Sequence, residues 1–176
     1  MKVSEVVYRG KVVNVARSFE RENPSAFFEI VEHPGSAAVV ALTGKGKLLL
    51  VDQYREAVGG YLLEIPAGKL EREEDPATCA ARELEEETGY RAGSMEKLFE
   101  LFTTPGYCNE NIHFFVATGL VASKSNPDEN EVLEPVELEV GEALEMIDDG
   151  RIRDAKTVAG ILEFVRRRKW SLHPGA

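Results

Sequence analysis

The segment from Gly68 to Tyr90 constrains this sequence more than any other. Asp75 followed by Pro76 is typical of a helix N-terminus, because an aspartate side chain accepts hydrogen bonds from unpaired N–H groups and proline is tolerated at the first helical position. Gly89 can adopt the left-handed conformation in which many helices end. The sequence therefore predicts a helix between Asp75 and Gly89.

The predicted helix has a packing stripe and an acidic face. At 100° per residue, one narrow stripe of small or apolar side chains would pack against a sheet: Ala77, Ala81, Leu84 and Thr88. Glu83, Glu86 and Glu87 are spaced i, i+3 and i+4, so they converge on a face roughly opposite that stripe. Such a face is either solvated, as most charge runs are, or it binds a hard divalent cation such as Mg²⁺.

A longer pattern surrounds these carboxylates. Five residues separate Gly68 from Glu74, and seven more lead to Arg82-Glu83-Leu84-x-Glu86-Glu87-x-Gly89-Tyr90. This pattern resembles the Nudix box, the signature of hydrolases that cleave nucleoside diphosphates linked to another group. Its one departure is Tyr90, where the family usually has an aliphatic residue, and this should affect packing more than chemistry. The resemblance implies an α/β fold, the Nudix α/β/α sandwich with a mixed sheet.

Length and charge limit the domain organisation and the partners. The 176 residues, 43% of them hydrophobic, suffice for one domain with a sizeable core and a small appendage. A net charge of −10 argues against a general binder of nucleic acid or of an anionic membrane. We expect a cytoplasmic protein, because no apolar run has the length of a membrane span and Met1–Gly10 lacks the apolar segment of a signal peptide. Cys79 and Cys108 are expected to be reduced thiols, and the three scattered histidines predict no zinc site.

The sequence suggests an N-terminal strand segment at 1–35, a hydrolase domain at 36–170 and a tail at 171–176. Turn residues at Gly10 and Asn23-Pro24 separate the β-type runs of the first segment, which predict a small antiparallel sheet: Glu5–Tyr8, Lys11–Ala16 and Ala26–Glu32. Such a sheet exposes edges that invite pairing.

Nudix enzymes that act on ADP-ribose typically use this segment to form a dimer, so the resemblance implies a homodimer. Arg17, Arg21 and Phe28 are candidates to reach the partner's site, and the alternative is that they are ordinary surface and core residues.

The hydrolase domain shows alternating strand and helix patterns. Strands are predicted at Ala37–Leu42, Lys47–Gln53, Tyr61–Ile65, Lys97–Phe102, Asn111–Thr118 and Val136–Val140. Two further helices are predicted at Gly141–Asp149 and at Ala155–Arg168, the latter with Asp154 as its N-cap.

The resemblance assigns roles to residues in and near the box. It implies a metal held by Glu83, Glu87 and the carbonyl of Ala67, since carboxylate and carbonyl oxygens suit hard cations. Glu86 is expected beside the metal as a catalytic residue. Arg82 would hold a glutamate in place through its planar fork.

Two further residues are expected to bind substrate. Arg55 matches an arginine that contacts substrate in the ADP-ribose members of the family, and an arginine can donate two parallel hydrogen bonds to a phosphate. Pro105, sixteen positions beyond Gly89, separates ADP-ribose hydrolases from other Nudix groups. Glu110 matches a position that binds the ribose side of the substrate.

The acidic loop 126–131 resembles an element that brings a catalytic glutamate over the site in ADP-ribose pyrophosphatases. We assign Glu129 as the candidate general base and Glu131 as an accessory metal ligand, with Glu134 as an alternative. The competing interpretation is a solvated surface loop.

The implied reaction is hydrolysis of ADP-ribose to AMP and ribose 5-phosphate with Mg²⁺ or Mn²⁺. One alternative is a Nudix hydrolase of another nucleotide sugar or dinucleotide, since the box fixes the chemistry while loops fix the leaving group. The other is a non-catalytic domain that senses ADP-ribose.

Overall fold

The computed structural model describes residues 1–11, 13–124 and 133–168. The N-terminal strands form an antiparallel sheet in the order β1 (Lys2–Arg9), β2 (Asn14–Glu20) and β3 (Asn23–Glu32). This confirms the predicted small N-terminal sheet. Among the described residues of its strands, Ala16 alone is buried.

The turn between β2 and β3 differs from the prediction. Glu20 pairs with Asn23, so Arg21 and Glu22 make the turn. Asn23-Pro24, which we predicted as the turn, lies at the start of β3. The proline fits there because β3 is an edge strand, where a missing N–H breaks no ladder.

The main sheet has seven strands: β4 (Ser36–Leu42), β5 (Leu48–Arg55), β6 (Gly60–Glu64), β7 (Ala67–Lys69), β9 (Ser94–Phe102), β10 (Asn111–Thr118) and β12 (Leu133–Leu138). Its path is β12-β5-β4-β10-β9, with β6 paired to β5 and β7 paired to β4. The sheet is mixed because β10 runs parallel to β4 while the other pairs are antiparallel. A short ribbon joins β8 (Tyr90–Arg91) to β11 (Val121–Ala122).

The last strand begins earlier than predicted. It pairs with β5 from Leu133 to Leu138, whereas we expected Val136–Val140. Pro135 lies within the strand, which is tolerated because β12 is at the edge of the sheet. Val140 instead begins the next helix.

Helices cover both faces of the sheet, as the sandwich prediction requires. α1 (Pro76–Thr88) packs on the face that presents Ala37, Val39 and Ala41 of β4. α2 (Val140–Asp148) and α3 (Ala155–Arg168) pack on the opposite face. β4 is buried on both faces, so its sequence reads as a continuous apolar run. Within the described residues, no helix has both the length and the apolar character needed to cross a membrane.

Gly160 allows α3 to approach the sheet closely. A Cβ at this position would lie 2.9 Å from Ile65 Cδ1 and 3.3 Å from side-chain carbons of Phe114 and Val40. Gly160→Val should therefore destabilise the protein by about 1–3 kcal/mol through overpacking. The free energy of unfolding in urea measures this loss. Gly141→Val is the control, because a Cβ at Gly141 meets no heavy atom within 4 Å, and an equal loss in both variants would contradict the packing explanation.

Candidate functional site

α1 begins and ends as the sequence predicts. Asp75 accepts hydrogen bonds from the N–H groups of Ala77 and Thr78 at 3.0 and 3.2 Å. Gly89 adopts a left-handed conformation with φ 74°, and its N–H donates to the Glu85 carbonyl at 2.8 Å. These two caps fix which residues of the acidic segment are helical.

The packing stripe of α1 differs from the prediction. Ala81 is exposed, while the buried residues of α1 are Cys79, Ala80, Leu84, Glu87 and Thr88. The helix is therefore rotated about its axis relative to the predicted stripe, and the carboxylates stand beside the buried face instead of opposite it. Glu83 and Glu87 lie against strand β7 in this orientation.

One cleft of about 940 Å³ collects the predicted site residues that the structure describes. They are Arg55, Ala67, Arg82, Glu83, Glu86, Glu87 and Glu110. Glu129 and Glu131 lie outside the described residues. Glu134 is exposed on β12 opposite Asp52 and does not line this cleft.

Arg82 is the hub of the acidic side of the cleft. Its Nε and Nη2 donate to the two carboxylate oxygens of Glu74 at 3.0 and 3.1 Å. Its Nη1 donates to Glu83 at 2.7 Å and to Glu86 at 3.0 Å, and Nη2 also reaches the Lys69 carbonyl at 3.2 Å. The hydrogen bonds to Glu74 are the main reason that the pKa of Arg82 is raised, and the same contact lowers the pKa of Glu74. One guanidinium thus offsets the repulsion among three carboxylates.

The short strand β7 supplies backbone groups to the same place. The Ala67 N–H donates to the Glu87 carboxylate at 3.1 Å. The Glu83 carboxylate occupies the space that a Cβ on Gly68 would need. The absence of a side chain at Gly68 therefore brings a carboxylate directly against the backbone.

This donor set fits a hard divalent cation. The carboxylates of Glu83, Glu86 and Glu87 line one cleft with the backbone of Ala67, and oxygen donors are what such ions prefer. Within the described part of the chain, no three acidic, histidine or cysteine side chains already form a metal-binding group. Arg82 donates hydrogen bonds to the carboxylates of Glu83 and Glu86, and the Ala67 N–H donates one to the carboxylate of Glu87.

Cys79 contacts the backbone of β7 from α1. Its Sγ lies 3.4 Å from the Lys69 carbonyl and 3.7 Å from that of Gly68. Burial raises the pKa of its thiol to about 12, so the side chain stays protonated and can donate to these carbonyls.

Arg55 also lines the cleft and is paired with a residue that the sequence analysis missed. Its Nε and Nη2 donate to the two oxygens of Glu64 at 2.8 and 2.6 Å. Glu64 also contacts the ammonium group of Lys156, at the start of α3. A charged residue inside the apolar run Leu62–Ile65 was the available signal, because buried carboxylates are rare unless they are paired.

Glu110 is held by hydroxyl groups. Ser36 donates to one of its oxygens at 2.8 Å, and Thr103 donates to the other at 3.1 Å. His33 Nδ1 lies 3.6 Å from Glu110 and accepts the Gly35 N–H at 3.2 Å. Neither Ser36 nor His33 was predicted at the site, because no spacing pattern links them to the box.

The loop that carries Pro105 and Glu110 is hydrogen-bonded to the N-terminal segment. The Val31 N–H donates to the Tyr107 carbonyl at 2.7 Å, and the Asn109 N–H donates to the Val31 carbonyl at 3.2 Å. The Asn109 side chain accepts the His33 N–H at 2.8 Å. The end of β3 therefore fixes the loop before Glu110.

Comparison with known proteins identifies the family. The model of the NUDIX domain matches residues 32–160. The chain belongs to the Nudix family. This assignment confirms the family that the box pattern indicated.

Several relatives of this Nudix protein have names that indicate their activities. It is 44% identical to a methanol dehydrogenase activator of Bacillus methanolicus, over 90% of this chain and 88% of that protein. It is 40% identical to an ADP-ribose pyrophosphatase of Bacillus subtilis (89% and 87%) and 42% identical to a GDP-mannose pyrophosphatase of Yersinia enterocolitica (70% of each). A crystal structure of an ADP compounds hydrolase matches with a TM-score of 0.78 at 23% identity, covering 95% of this chain and 92% of that one. This last likeness confirms the fold.

Gly68→Ala should displace the Glu83 carboxylate, because the new methyl group would occupy its position. We expect the affinity for a divalent cation to fall by roughly 10–100-fold, as is usual when groups that orient metal ligands are lost. Titration with Mn²⁺, followed by electron paramagnetic resonance, measures this affinity. Gly106→Ala is the control, because a Cβ there meets no heavy atom within 4 Å. Unchanged Mn²⁺ affinity in a folded Gly68→Ala protein would contradict the assignment.

Proposed function

We propose that this Nudix protein hydrolyses the pyrophosphate bond of ADP-ribose to AMP and ribose 5-phosphate, using a divalent metal ion. The observation that carries the proposal is the single cleft that joins the box carboxylates to Arg55 and Glu110. The 40% identity to an ADP-ribose pyrophosphatase over most of both chains supports the choice of substrate.

Charge explains why a metal ion is needed. The cleft is lined by more acidic than basic side chains, so it repels a substrate with a negatively charged pyrophosphate. The seven acidic residues are Glu64, Glu71, Glu83, Glu86, Glu87, Glu110 and Asp154, and the five basic residues are Lys11, Arg55, Lys69, Arg82 and Lys156. We propose Mg²⁺, with Mn²⁺ as the alternative, held by Glu83, Glu87 and the Ala67 carbonyl, with Glu86 adjacent. When bound, such an ion neutralises phosphate oxygens and lowers the pKa of a bound water.

The chain's own residues supply positioning and proton transfer in this proposal. Arg82 orients Glu83 and Glu86 through its hydrogen bonds to both. Arg55 binds a phosphate, and Glu110 accepts hydrogen bonds from the ribose side of the substrate. Glu129 is the proposed general base and Glu131 an accessory metal ligand; both lie outside the described residues.

A second candidate is hydrolysis of another nucleotide sugar. The 42% identity to a GDP-mannose pyrophosphatase over 135 residues favours it specifically. A non-catalytic ADP-ribose sensor is the third candidate, and the intact set of box glutamates argues against it, since binding alone does not require all three.

Phosphate release coupled to alkaline phosphatase separates these candidates. The panel contains ADP-ribose, GDP-mannose and diadenosine polyphosphates, each with Mg²⁺ and with EDTA. We expect ADP-ribose to be the best substrate and EDTA to abolish turnover. Glu83→Gln should lower kcat by about 100-fold or more while the thermal midpoint changes little. Glu85→Gln is the control on the same helix, because Glu85 pairs with Arg91 and Ser123 and does not line the cleft.

Preferential turnover of GDP-mannose would contradict ADP-ribose as the proposed substrate but would leave the proposed metal site unchanged. Binding of ADP-ribose without turnover of any compound would favour the sensor. Equal losses of activity and stability in Glu83→Gln would contradict its role as a metal ligand.

We further propose a cytoplasmic homodimer with an N-terminal strand segment at 1–35, a hydrolase domain at 36–170 and a tail at 171–176. Aromatic side chains on the N-terminal sheet support the dimer, since Tyr8 and Phe28 are 60% and 73% exposed. Arg17 stacks on the Phe27 ring at 4.6 Å, on the same sheet. Sedimentation equilibrium of the full chain should give twice the monomer mass, and a monomer at micromolar concentration would contradict the proposal.

A further inference from the structure

Glu64 is the most deeply buried of the described charged residues, with 1% of its surface exposed. It ends β6 at the wall of the cleft, and both of its carboxylate oxygens accept hydrogen bonds from Arg55. One of these oxygens also contacts the Lys156 ammonium group. Two cations therefore compensate for the burial of one carboxylate.

The Lys156 side chain is itself held by a second carboxylate. Its ammonium donates to Asp154 at 3.0 Å. The same oxygen of Asp154 accepts the N–H and the hydroxyl of Thr157 at 3.0 and 2.6 Å, and the Thr157 hydroxyl oxygen accepts the Ile65 N–H at 2.9 Å. The network thus connects the end of β6 to the start of α3, two elements of the packed core, and leaves Glu64 little freedom to move.

This arrangement fixes the plane of the Arg55 guanidinium. A bidentate pair between arginine and carboxylate restrains both position and orientation. The pair uses Nε and Nη2, so Nη1 is the group that can donate to a ligand in the cleft. The pKa of Arg55 is raised, first by its hydrogen bonds to Glu64 and further by the charges of Glu64, Glu87 and Asp154.

Stability alone does not account for Glu64. A buried ion pair is often no more stabilising than apolar side chains of the same volume, whereas the loss of one partner leaves an uncompensated charge. Leu62 and Leu63 on this strand, and Ile65 directly after it, show that apolar side chains are accommodated here. What the carboxylate adds is the direction in which Arg55 points.

We infer that Glu64 is a positioning residue that acts through Arg55, with Lys156 as the second cation that allows the carboxylate to be buried. The inference rests on the proposed function, in which Arg55 binds a phosphate of the substrate. It assigns Glu64 and Lys156 no contact with the reacting atoms. Their effect on substrate binding therefore depends on the presence of Arg55.

A double-mutant cycle on the full chain tests this dependence. Glu64→Gln should raise KM for ADP-ribose about tenfold and change kcat by less than about twofold, because a phosphate contact made equally in the ground and transition states affects KM alone. Lys156→Met should raise KM in the same direction. In the Arg55→Met background, Glu64→Gln should raise KM no further.

The control is Lys47→Met, which removes a lysine with a glutamate partner, Glu139 at 3.2 Å, outside the cleft. Its KM should equal that of the wild type. A KM effect of Glu64→Gln that persists in the Arg55→Met background would overturn the inference, and so would a fall in thermal midpoint with KM unchanged.

A measurement without substrate separates this inference from the proposed function. In the ¹⁵N NMR spectrum, the Arg55 Nε–H resonance, assigned by its loss in Arg55→Met, should be sharp in the wild type and broadened by exchange in Glu64→Gln. An equally sharp resonance in both proteins would overturn the inference. If the wild type fails to hydrolyse ADP-ribose, the proposed function fails while the resonance still tests the positioning of Arg55.

Discussion

The arrangement of the carboxylates on the acidic side of this cleft depends on one guanidinium, that of Arg82, which Glu74, Glu83 and Glu86 share. Glu83 and Glu86 both accept hydrogen bonds from Nη1 of Arg82, and without Arg82 their like charges would repel each other. Arg82 itself is anchored by Glu74, which lies outside the helix and accepts a hydrogen bond from the Glu71 N–H. The spacing between Glu74 and Arg82 in the box therefore has a physical reason. It joins the loop and the helix through one planar cation.

Capping residues and hydrophobic patterns in the sequence predicted the helix ends and strands that depend on neighbouring residues alone. The caps of α1 follow from Asp75 and Gly89, and the strand at Ala37–Leu42 follows from its apolar run. The α/β/α sandwich was implied by the resemblance to the Nudix family. The rotation of α1 did not follow, because Ala80 and Ala81 are equally small and only contact with β4 decides which of them is buried. The edge position of β12, which admits Pro135, likewise depends on the whole sheet.

The site shows the same division. Helix geometry predicted the shared face of Glu83, Glu86 and Glu87, and the resemblance to the Nudix family indicated Arg55, Ala67 and Glu110. Glu64, Lys156, Ser36 and His33 reach the cleft from separate elements, and their proximity is set by packing over long sequence separations. Glu64 and Lys156 are 92 residues apart in sequence, so no periodicity could link them. A buried charge in an apolar strand was the one indication that something had to compensate for Glu64.

The N-terminal segment has a role beyond its own sheet. Lys11 and His33 line the cleft, and the end of β3 is hydrogen-bonded to the loop that leads to Glu110. The appendage is therefore also a wall of the cleft, built from the same chain as the box. A displacement of this end of β3 would act on Tyr107 and Asn109, close to Glu110 in the sequence, through the hydrogen bonds of Val31. Substitutions in the segment could thus retune recognition on one side of the cleft while leaving the box carboxylates in place.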